Sequence, residues 1–289
     1  NTMYNEDPKF MDELNMNFNL TESSPAVDKG TDSVDVHTDI DYGQRPQGFN
    51  HDIGAYESEY SAAGIDMDIT LFLEGSYNSS TEKMNSDYYA QNLLALSQPF
   101  NNAIYNYDGN ESVQSYLDFE RDNNGNTQKV VSWVLINISD KNNPANIVAQ
   151  AAGLLWDDGS VTATNHESIK ILLTPDLYYV AVKAFGHLGV MTATPFDFTN
   201  SPVIIDFSDP GFSALGGNDA QNSMNGKQMF ICGDANGDGI INAGDRAPVW
   251  TARNSIGNIM EDINLDGICN ASDRAITWNN RNRFSYLPY

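Results

Sequence analysis

Hydrophobic and polar residues alternate over short segments through the middle of the chain. In residues 65–74 every second residue is apolar, which places the apolar side chains on one face of a strand. Turn residues such as Asp157-Asp158-Gly159 separate this segment from further apolar runs. Those runs lie at 129–138, 151–156, 168–173, 177–185, 188–194 and 203–207. Short strands at this spacing predict an antiparallel β-sandwich over residues 59–228.

The length and net charge of the chain limit the classes of protein to which it can belong. The chain has 289 residues, of which 40% are hydrophobic, so two or three domains with real cores are expected. Asp and Glu number 39 against 15 Lys and Arg, a net charge of −24 that argues against binding to nucleic acids or anionic membranes and favours cations as partners. No apolar run reaches the roughly 18 residues of a spanning helix. Because the chain starts at Asn1 without a leader, we expect a processed protein or the tail of a longer one.

The C-terminal part contains an internal repeat. Residues 233–254 and 261–282 share 13 identities in 22 positions at an offset of 28. Both copies contain the pattern D-x-N-x-D-G-x-x-N-x-x-D, in residues 234–245 (loop 1) and residues 262–273 (loop 2). This pattern places oxygen-bearing side chains at positions 1, 3, 5, 9 and 12 and a glycine at position 6, as in twelve-residue calcium loops.

Each loop therefore predicts a calcium site, and we expect two Ca²⁺ ions. Calcium takes six to eight oxygen ligands, and Gly239 and Gly267 allow the sharp turn that brings these oxygens together. Position 7 is expected to contribute a main-chain carbonyl and position 9 a water-mediated contact. The predicted metal-binding residues are Asp234, Asn236, Asp238, Ile240, Asn242 and Asp245 in loop 1, and Asp262, Asn264, Asp266, Ile268, Asn270 and Asp273 in loop 2.

Residues 229–283 resemble the dockerin family. The resemblance rests on the two loops, on Asp rather than Glu at position 12, and on a helix after each loop, at about 243–254 and 271–282. It implies a small α-helical calcium module over residues 229–289 and a cohesin-like protein partner. The Ser/Thr pair by which dockerins often recognise cohesin is missing, because Ala243-Gly244 and Ala271-Ser272 occupy positions 10 and 11. Another surface protein and the chain's own sandwich therefore remain alternative partners.

Three other features of the C-terminal part lead to expectations. Cys232 and Cys269 are the only cysteines. Cys269 is at position 8 of loop 2, where paired calcium loops usually align as short strands, and Cys232 lies just before loop 1. A disulfide between them is therefore expected and would suit an oxidising compartment, with two buried thiols as the alternative. Trp250 and Trp278 occupy equivalent places in the repeat; we expect them to pack the small core, with a partner-facing pair as the alternative. Pro248 is expected to delay or bend the first helix.

The first 58 residues contain two motifs with polar and turn residues at fixed places. Ser24-Pro25-Ala26-x-Asp28-x-Gly30, and Arg45-Pro46 followed by Asp52-Ile53-Gly54-Ala55-Tyr56-Glu57, resemble the last coils of pectin-lyase-like right-handed parallel β-helices. The resemblance implies that residues 1–58 are the end and cap of such a β-helix, whose open strand edges need covering. We expect Arg45 to pair with Asp28 or Asp52, and the acidic residues to serve capping and turns.

The middle region indicates a cellular location rather than a reaction. Residues 132–140, 156–159 and 178–191 resemble a sandwich that precedes calcium repeats in secreted Bacteroidota proteins, which suggests delivery to the cell surface by a type IX route. Residues 122–126 predict a polar hairpin, and His187 a turn or core histidine. Four tyrosines predict either a sugar-stacking surface or part of the core: Tyr88, Tyr89, Tyr105 and Tyr107.

The sequence contains no catalytic motif. Its four histidines are far apart, and neither an HExxH motif nor a nucleophile elbow nor a phosphate-binding glycine loop is present. We therefore expect a mainly β, extracellular, non-catalytic part of a larger protein that acts in adhesion, display or assembly. The alternatives are the tail of a polysaccharide-degrading β-helix enzyme whose active site lies upstream, and a carbohydrate-binding module in the sandwich.

Overall fold

The chain forms two compact units, residues 1–64 and residues 65–289. The computed structural model describes residues 7–30, 36–47, 51–58, 64–123, 125–173 and 176–288. The sequence divides the chain near residues 58 and 228, whereas the compact units divide it only near residue 64. The predicted sandwich and the predicted C-terminal module therefore belong to one unit.

The first unit is small and is held together by polar contacts as well as apolar ones. Strand β1 (Phe10–Asp12) pairs antiparallel with β2 (Asn17–Leu20) through a short 3-10 turn, Glu13–Asn15. Among its described residues, three buried side chains form a core, those of Leu20, Ala26 and Val27. Few apolar groups are available here, so hydrogen bonds position the remaining segments.

Arg45 pairs with a different carboxylate from the one expected. Its Nε lies 2.8 Å from Oε2 of Glu57, and its guanidinium donates to the main-chain carbonyl of Asp52. The carboxylate of Asp52 instead accepts hydrogen bonds from the backbone of Asp28 and from Ser58. The expectation that Asp28 or Asp52 pairs with Arg45 was wrong, because Arg45 pairs with Glu57 and the Asp52 carboxylate already accepts hydrogen bonds from Asp28 and Ser58. The carboxylates of Asp52 and Glu57 accept hydrogen bonds from backbone amides of this segment, which is the expected role in turns.

The second unit is built on one large sheet. Its ten strands are β3 (Ile65–Thr70), β6 (Glu120–Asn123), β7 (Asn126–Asp140), β8 (Asn143–Trp156), β9 (Ser160–Thr162), β10 (Ile169–Ile171), β11 (Leu177–Lys183), β13 (Val190–Met191), β14 (Phe196–Asp197) and β15 (Val203–Asp206). Seven of them form the main path of the sheet in the order β10-β3-β9-β8-β7-β11-β13, and β6, β14 and β15 pair with strands of this path. All pairs are antiparallel except β15 with β3.

Smaller elements complete this unit. Three two-stranded sheets lie beside the large one, and three helices are present among the described residues. The sheets pair β4 (Tyr77–Asn78) with β5 (Lys83–Met84), β12 (Gly186–His187) with β18 (Cys232–Asp234), and β16 (Gln221–Met224) with β17 (Lys227–Phe230). The helices are α1 (Asp87–Ala90), α2 (Ala243–Thr251) and α3 (Ala271–Asn279).

The large sheet folds over a shared apolar core. Ile65, Met67 and Ile69 are buried and alternate with more exposed polar residues, as the period-two pattern predicts. A Cβ at Gly153 of β8 would lie 2.9 Å from the side chain of Ile169 of β10, so these two parts of the sheet face each other closely. The arrangement is mainly β and is consistent with the predicted antiparallel sandwich. It differs from the prediction in one strand, β15, which pairs in parallel with β3.

Helices α2 and α3 begin where the repeat predicts and end three residues earlier. Asn242 and Asn270 cap the two helices, each accepting a hydrogen bond from a backbone amide of the first turn. Asn254 and Asn282 have positive φ angles of 68° and 69°, a left-handed conformation that does not continue a helix. Pro248 lies inside α2, but α2 begins at the same position of the repeat as α3 and has the same length of nine residues, so the expected delay of the first helix was wrong.

Candidate metal centre

Loop 1 folds so that its carboxylates point inward. Asp234 ends β18, and Gly239 takes a φ of +80° at the turn, where a side chain would be strained. Backbone amides then fix the carboxylates: Gly239 donates to Oδ2 of Asp234 at 3.0 Å, and Asn242 donates to Oδ2 of Asp245 at 2.8 Å. The chain thus orients the acidic side chains with its own main chain.

Three carboxylates meet at the centre of loop 1. One oxygen from each of Asp234, Asp238 and Asp245 lies within 4.8 Å of the others. Asp234 and Asp245 are buried, and Oδ1 of Asp234 has no hydrogen-bond partner among the described residues. A buried, unpartnered carboxylate oxygen beside two other carboxylates is costly unless a cation binds there. The donor set is oxygen only, which suits a hard cation such as calcium.

Loop 2 repeats this arrangement with small differences. Gly267 donates to Oδ2 of Asp262 at 2.7 Å, and the backbone of Asn270 donates to Oδ2 of Asp273 at 2.7 Å. Asp262 and Asp273 are fully buried, whereas Asp266 is half-buried. Within the residues that the structure describes, loop 1 is the one whose three carboxylates come within 4.8 Å of each other.

The remaining predicted ligands also face into the loops or brace them. Oδ1 of Asn236 accepts from the backbone of Asp238, and Asn264 does the same for Asp266. In both loops the position-9 asparagine donates to the position-7 carbonyl, at 3.1 Å from Asn242 to Ile240 and at 2.9 Å from Asn270 to Ile268. Hydrogen bonds thus join neighbouring members of the predicted set within each loop, and among the described residues the ligand atoms of Asp234, Asp238 and Asp245 lie within 4.8 Å of one another.

Burial and mutual repulsion make these carboxylates hard to ionise. The pKa of Asp234 is raised to about 7, first by burial and then by the charge of Asp245. The pKa of Asp262 is raised to about 6, by burial and then by Asp273. Burial also raises the pKa of Asp245 and Asp273. A divalent cation in either loop would offset both effects, because it replaces water as the partner of the ionised oxygens.

Glu74, which lies in a short 3-10 turn after β3, connects the C-terminal module to the sandwich. Its Oε2 accepts from the backbone amide of Cys232 at 3.2 Å and from the side chain of Asn280 at 2.7 Å. Its Oε1 accepts from Asn222 at 2.7 Å. One carboxylate therefore connects the strand that leads into loop 1 with the residue that ends α3.

Helix α1 of the sandwich contacts loop 2 directly. Gln91, just after α1, donates from Nε2 to the main-chain carbonyl of Asp266 at 2.7 Å. The buried hydroxyl of Tyr88 lies beside Asp262, whose charge contributes to the raised pKa of Tyr88 after burial. The repeat pattern identifies the two loops but not their partners in the sandwich, because Glu74, Tyr88 and Gln91 belong to no motif that could have indicated these contacts.

The two cysteines are free thiols, so the expected disulfide was wrong and the alternative of two buried thiols is what the structure has. Sγ of Cys232 lies against Glu74, while Sγ of Cys269 faces the carbonyl of Val249 at 3.3 Å. A disulfide was expected because paired calcium loops commonly align with each other. Here Ile240 of loop 1 pairs with Phe284, and Ile268 of loop 2 pairs with Ile256.

The two tryptophans of the repeat are exposed rather than packed into the small core. Trp250 and Trp278 are 53% and 44% exposed, so the core expectation was wrong. Smaller side chains occupy that core, among them Val249, Ile263 and Cys269. The indole rings instead stack with arginine guanidiniums along the surface.

Of the two alternatives for the four tyrosines, a sugar-stacking surface or part of the core, the structure has the core. Tyr88, Tyr105 and Tyr107 are at most 8% exposed, and Tyr89 packs partly buried against the same cluster. Their faces are therefore covered by protein. His187 is also a core residue, as expected: its Nδ1 lies 2.7 Å from the carbonyl of Phe185, and burial lowers its pKa to about 4. The predicted polar hairpin is the β6–β7 turn, apart from Asn124, which lies outside the described residues.

No family model matches the chain, and no curated protein matches it. Among solved structures, the chain is similar to chains from two type II cohesin–X-dockerin complexes of Acetivibrio cellulolyticus, described as N-terminal and C-terminal interface mutants. The first match has a TM-score of 0.30 and 17% identity and covers 53% of this chain and 82% of the other. The second has a TM-score of 0.33 and 12% identity and covers 77% and 98%. Scores at this level assign no function.

No helix in the described part of the chain is long and apolar enough to cross a membrane.

Proposed function

We propose that residues 65–289 form a non-catalytic extracellular assembly or display unit in which two calcium ions, one in each loop, hold the C-terminal module on the sandwich. The observation that carries the proposal is the group of three carboxylates in loop 1, with the unpartnered, buried Oδ1 of Asp234. Calcium would neutralise carboxylates that otherwise repel each other and oppose folding. Residues 1–58 would be the end of a β-helix that carries this unit.

The contacts between the module and the sandwich support calcium as an internal staple. Glu74 accepts hydrogen bonds from Cys232, just before the first copy of the repeat, and from Asn280, near the end of the second copy. Gln91 donates to a main-chain carbonyl of loop 2 itself. A loop fixed by calcium would present these atoms in one arrangement, so calcium binding and docking of the module would be coupled. The chain's own sandwich is therefore the partner best supported by geometry, ahead of a separate cohesin-like protein.

Calorimetric titration of the full chain with calcium tests the proposal. We expect two binding events and a rise in melting temperature that a chelator reverses. The variant Asp245→Asn/Asp273→Asn keeps the size of both side chains but removes one charge from each loop, and we expect it to lose both effects. Glu82→Gln/Asp108→Asn removes the same charge from exposed positions outside the loops and should behave like the parent. A parent chain whose melting curve is identical in calcium and chelator would contradict the staple.

A further inference from the structure

A groove of about 510 Å³ lies between α2 and α3 (the helix groove). The two exposed tryptophans, Trp250 and Trp278, line it, and Val249 forms part of its apolar lining. Arg246, near the start of α2, stacks on Trp278 of the other helix, with its Cζ 4.4 Å from the ring centroid. Arg274, near the start of α3, stacks in the same way on Trp250 at 4.9 Å. The internal repeat thus produces a groove with two matching halves.

Two further arginines complete the set. Arg253 stacks on Trp250 at 4.6 Å, and Arg281 stacks on Trp278 at 4.3 Å. These two also donate hydrogen bonds to the carbonyls of their stacking partners. Four of the seven arginines of the chain therefore line or flank one groove, and we call them the groove arginines: Arg246, Arg253, Arg274 and Arg281.

No carboxylate among the described residues forms an ion pair with any of the groove arginines. This is unexpected in a chain with 39 acidic residues and a net charge of −24. In addition, Nε of Arg246 and Nε of Arg274 are buried and have no hydrogen-bond partner in the part of the chain that the structure describes. Guanidinium groups that are positioned by stacking but lack an acceptor are suited to bind an external anion.

We propose that the helix groove binds an acidic segment of a protein partner, whose Asp or Glu carboxylates pair with the groove arginines. The guanidinium fork matches a carboxylate with two parallel hydrogen bonds, and the repeat offers this fork in two equivalent halves. The apolar lining accommodates the aliphatic stems between the carboxylates. The inference rests on the proposed function in one respect, because an assembly unit requires a surface that binds a partner.

Two other classes of ligand, carbohydrates and nucleic acids, fit less well. Carbohydrate sites use free aromatic faces, but each indole ring here already carries two guanidiniums within 5 Å of its centroid. Nucleic acid would meet the repulsion of the whole chain, whose net charge is strongly negative. A short acidic peptide avoids both difficulties, since it needs neither a free ring face nor a long positive track.

The test uses the full chain in excess calcium and a hexaglutamate peptide, with hexaglutamine as the neutral control. Binding is followed by acrylamide quenching of tryptophan fluorescence. Trp250 and Trp278 are exposed, whereas Trp133 and Trp156 are fully buried, so a protected signal reports on the groove without any substitution. We expect hexaglutamate to protect, hexaglutamine to have no effect, and protection to weaken as salt is added. Absence of protection at low salt overturns the proposal.

Variants assign the binding to the arginines. Arg246→Gln/Arg274→Gln is expected to weaken hexaglutamate binding by roughly tenfold or more, and Arg246→Lys/Arg274→Lys by less, because lysine keeps the charge and loses the fork. The matched control is Lys129→Gln/Lys227→Gln, which removes two cations that also stack on rings, Tyr89 and Phe72, on the sandwich. Equal affinity in the arginine variants and the lysine control would overturn the proposal.

Two further measurements distinguish an acidic peptide from other possible occupants of the helix groove. Tighter binding of oligogalacturonate than of hexaglutamate would replace the peptide by an acidic glycan. Salt-sensitive dimers in sedimentation equilibrium, lost in Arg246→Gln/Arg274→Gln, would replace it by a second copy of the chain; either result overturns the assignment. Melting curves with and without calcium on the same samples distinguish failure of one proposal from failure of the other. If peptide binding fails while calcium still raises the melting temperature, only the groove proposal is overturned. If the peptide binds while calcium leaves the melting temperature unchanged, only the calcium proposal is overturned.

Discussion

Gly75 of the sandwich lies directly against the main-chain carbonyl of Ile263 in loop 2: a Cβ at residue 75 would sit 2.1 Å from that oxygen. Neither partner is the end of a flexible side chain, so a larger residue at position 75 must displace backbone. The relationship joins a turn of the sandwich to the second predicted calcium loop. It also explains why glycine is required at a position whose φ is not in the left-handed region.

Gly75→Ala is expected to destabilise the chain by about 1–3 kcal/mol, the usual cost of overpacking. Because the displaced atom belongs to loop 2, calcium affinity should fall as well. Thermal melts and calcium titration measure the two effects. Gly211→Ala is the control, because its nearest contact is the exposed side chain of Asp209 at 3.2 Å, which can move. Equal stability of the two variants would contradict the close contact.

Glu74→Gln is expected to lower the free energy of unfolding by about 1.5–3 kcal/mol, because glutamine has one acceptor oxygen where the carboxylate has two and both carboxylate oxygens accept hydrogen bonds. The donors at Oε2 are the Cys232 amide and the Asn280 side chain. Chemical denaturation of the full chain measures the change. The exposed Glu82→Gln serves as the control, and a Glu74→Gln chain no less stable than that control would argue against the bridging role.

The stability of the calcium-free chain should fall as the pH rises from 6.5 to 8. Asp234 has a folded pKa of about 7 against an ordinary value of 3.8, so the folded state binds more protons than the unfolded state until the pH exceeds 7. His187 opposes this trend at the lower end of the range, because its folded pKa is about 4 while its ordinary value is 6.5, so the unfolded residue is still partly protonated there. The opposition fades as the pH rises above the ordinary histidine pKa. Melting temperatures in chelator measure the slope.

Two comparisons check the cause of that slope. Asp234→Asn removes the titrating group and should flatten the pH dependence. Saturating calcium should flatten it too, because the bound ion keeps the carboxylates ionised throughout the range. A slope that persists unchanged in Asp234→Asn would assign the pH dependence to other groups.

The thiols of Cys232 and Cys269 should be unreactive until the chain unfolds. Both side chains are at most 1% exposed, and burial raises the pKa of Cys269 to about 12 and the pKa of Cys232 well above its ordinary value, so little thiolate is present. A chromogenic disulfide reagent should therefore detect both thiols in denaturant and neither in the native chain. Failure to detect thiols in denaturant would indicate a disulfide instead.

The loops and the helix starts could be predicted because they follow from local spacing. Asp234 and Asp245 are eleven residues apart, and a turn with glycine at Gly239 is enough to bring them together. The contacts of Glu74 could not be predicted, since Cys232 is separated from it by 158 residues and no pattern links them. Only the folded sheet brings these residues to one place.

The tryptophans and cysteines were wrongly predicted for a related reason. Equivalent positions in a repeat indicate equivalent surroundings, but they do not tell whether those surroundings are core or surface. Trp250 is exposed because its neighbour Val249 already fills the core, and Arg274 of the other helix stacks on the indole ring. The cysteine pairing depended on loop-to-loop alignment, which Phe284 prevents by pairing with Ile240.

The pairing of β3 on both edges determines how the second unit responds to mechanical tension. Ile69 pairs with Val161 on one side and, in parallel, with Ile205 on the other. The chain enters the unit through this strand, so a pull on the entering chain loads both ladders along the strand axis. Their hydrogen bonds then resist in shear and break together, rather than opening one after another as at a sheet edge. An element that transmits load from the preceding residues would benefit from this arrangement.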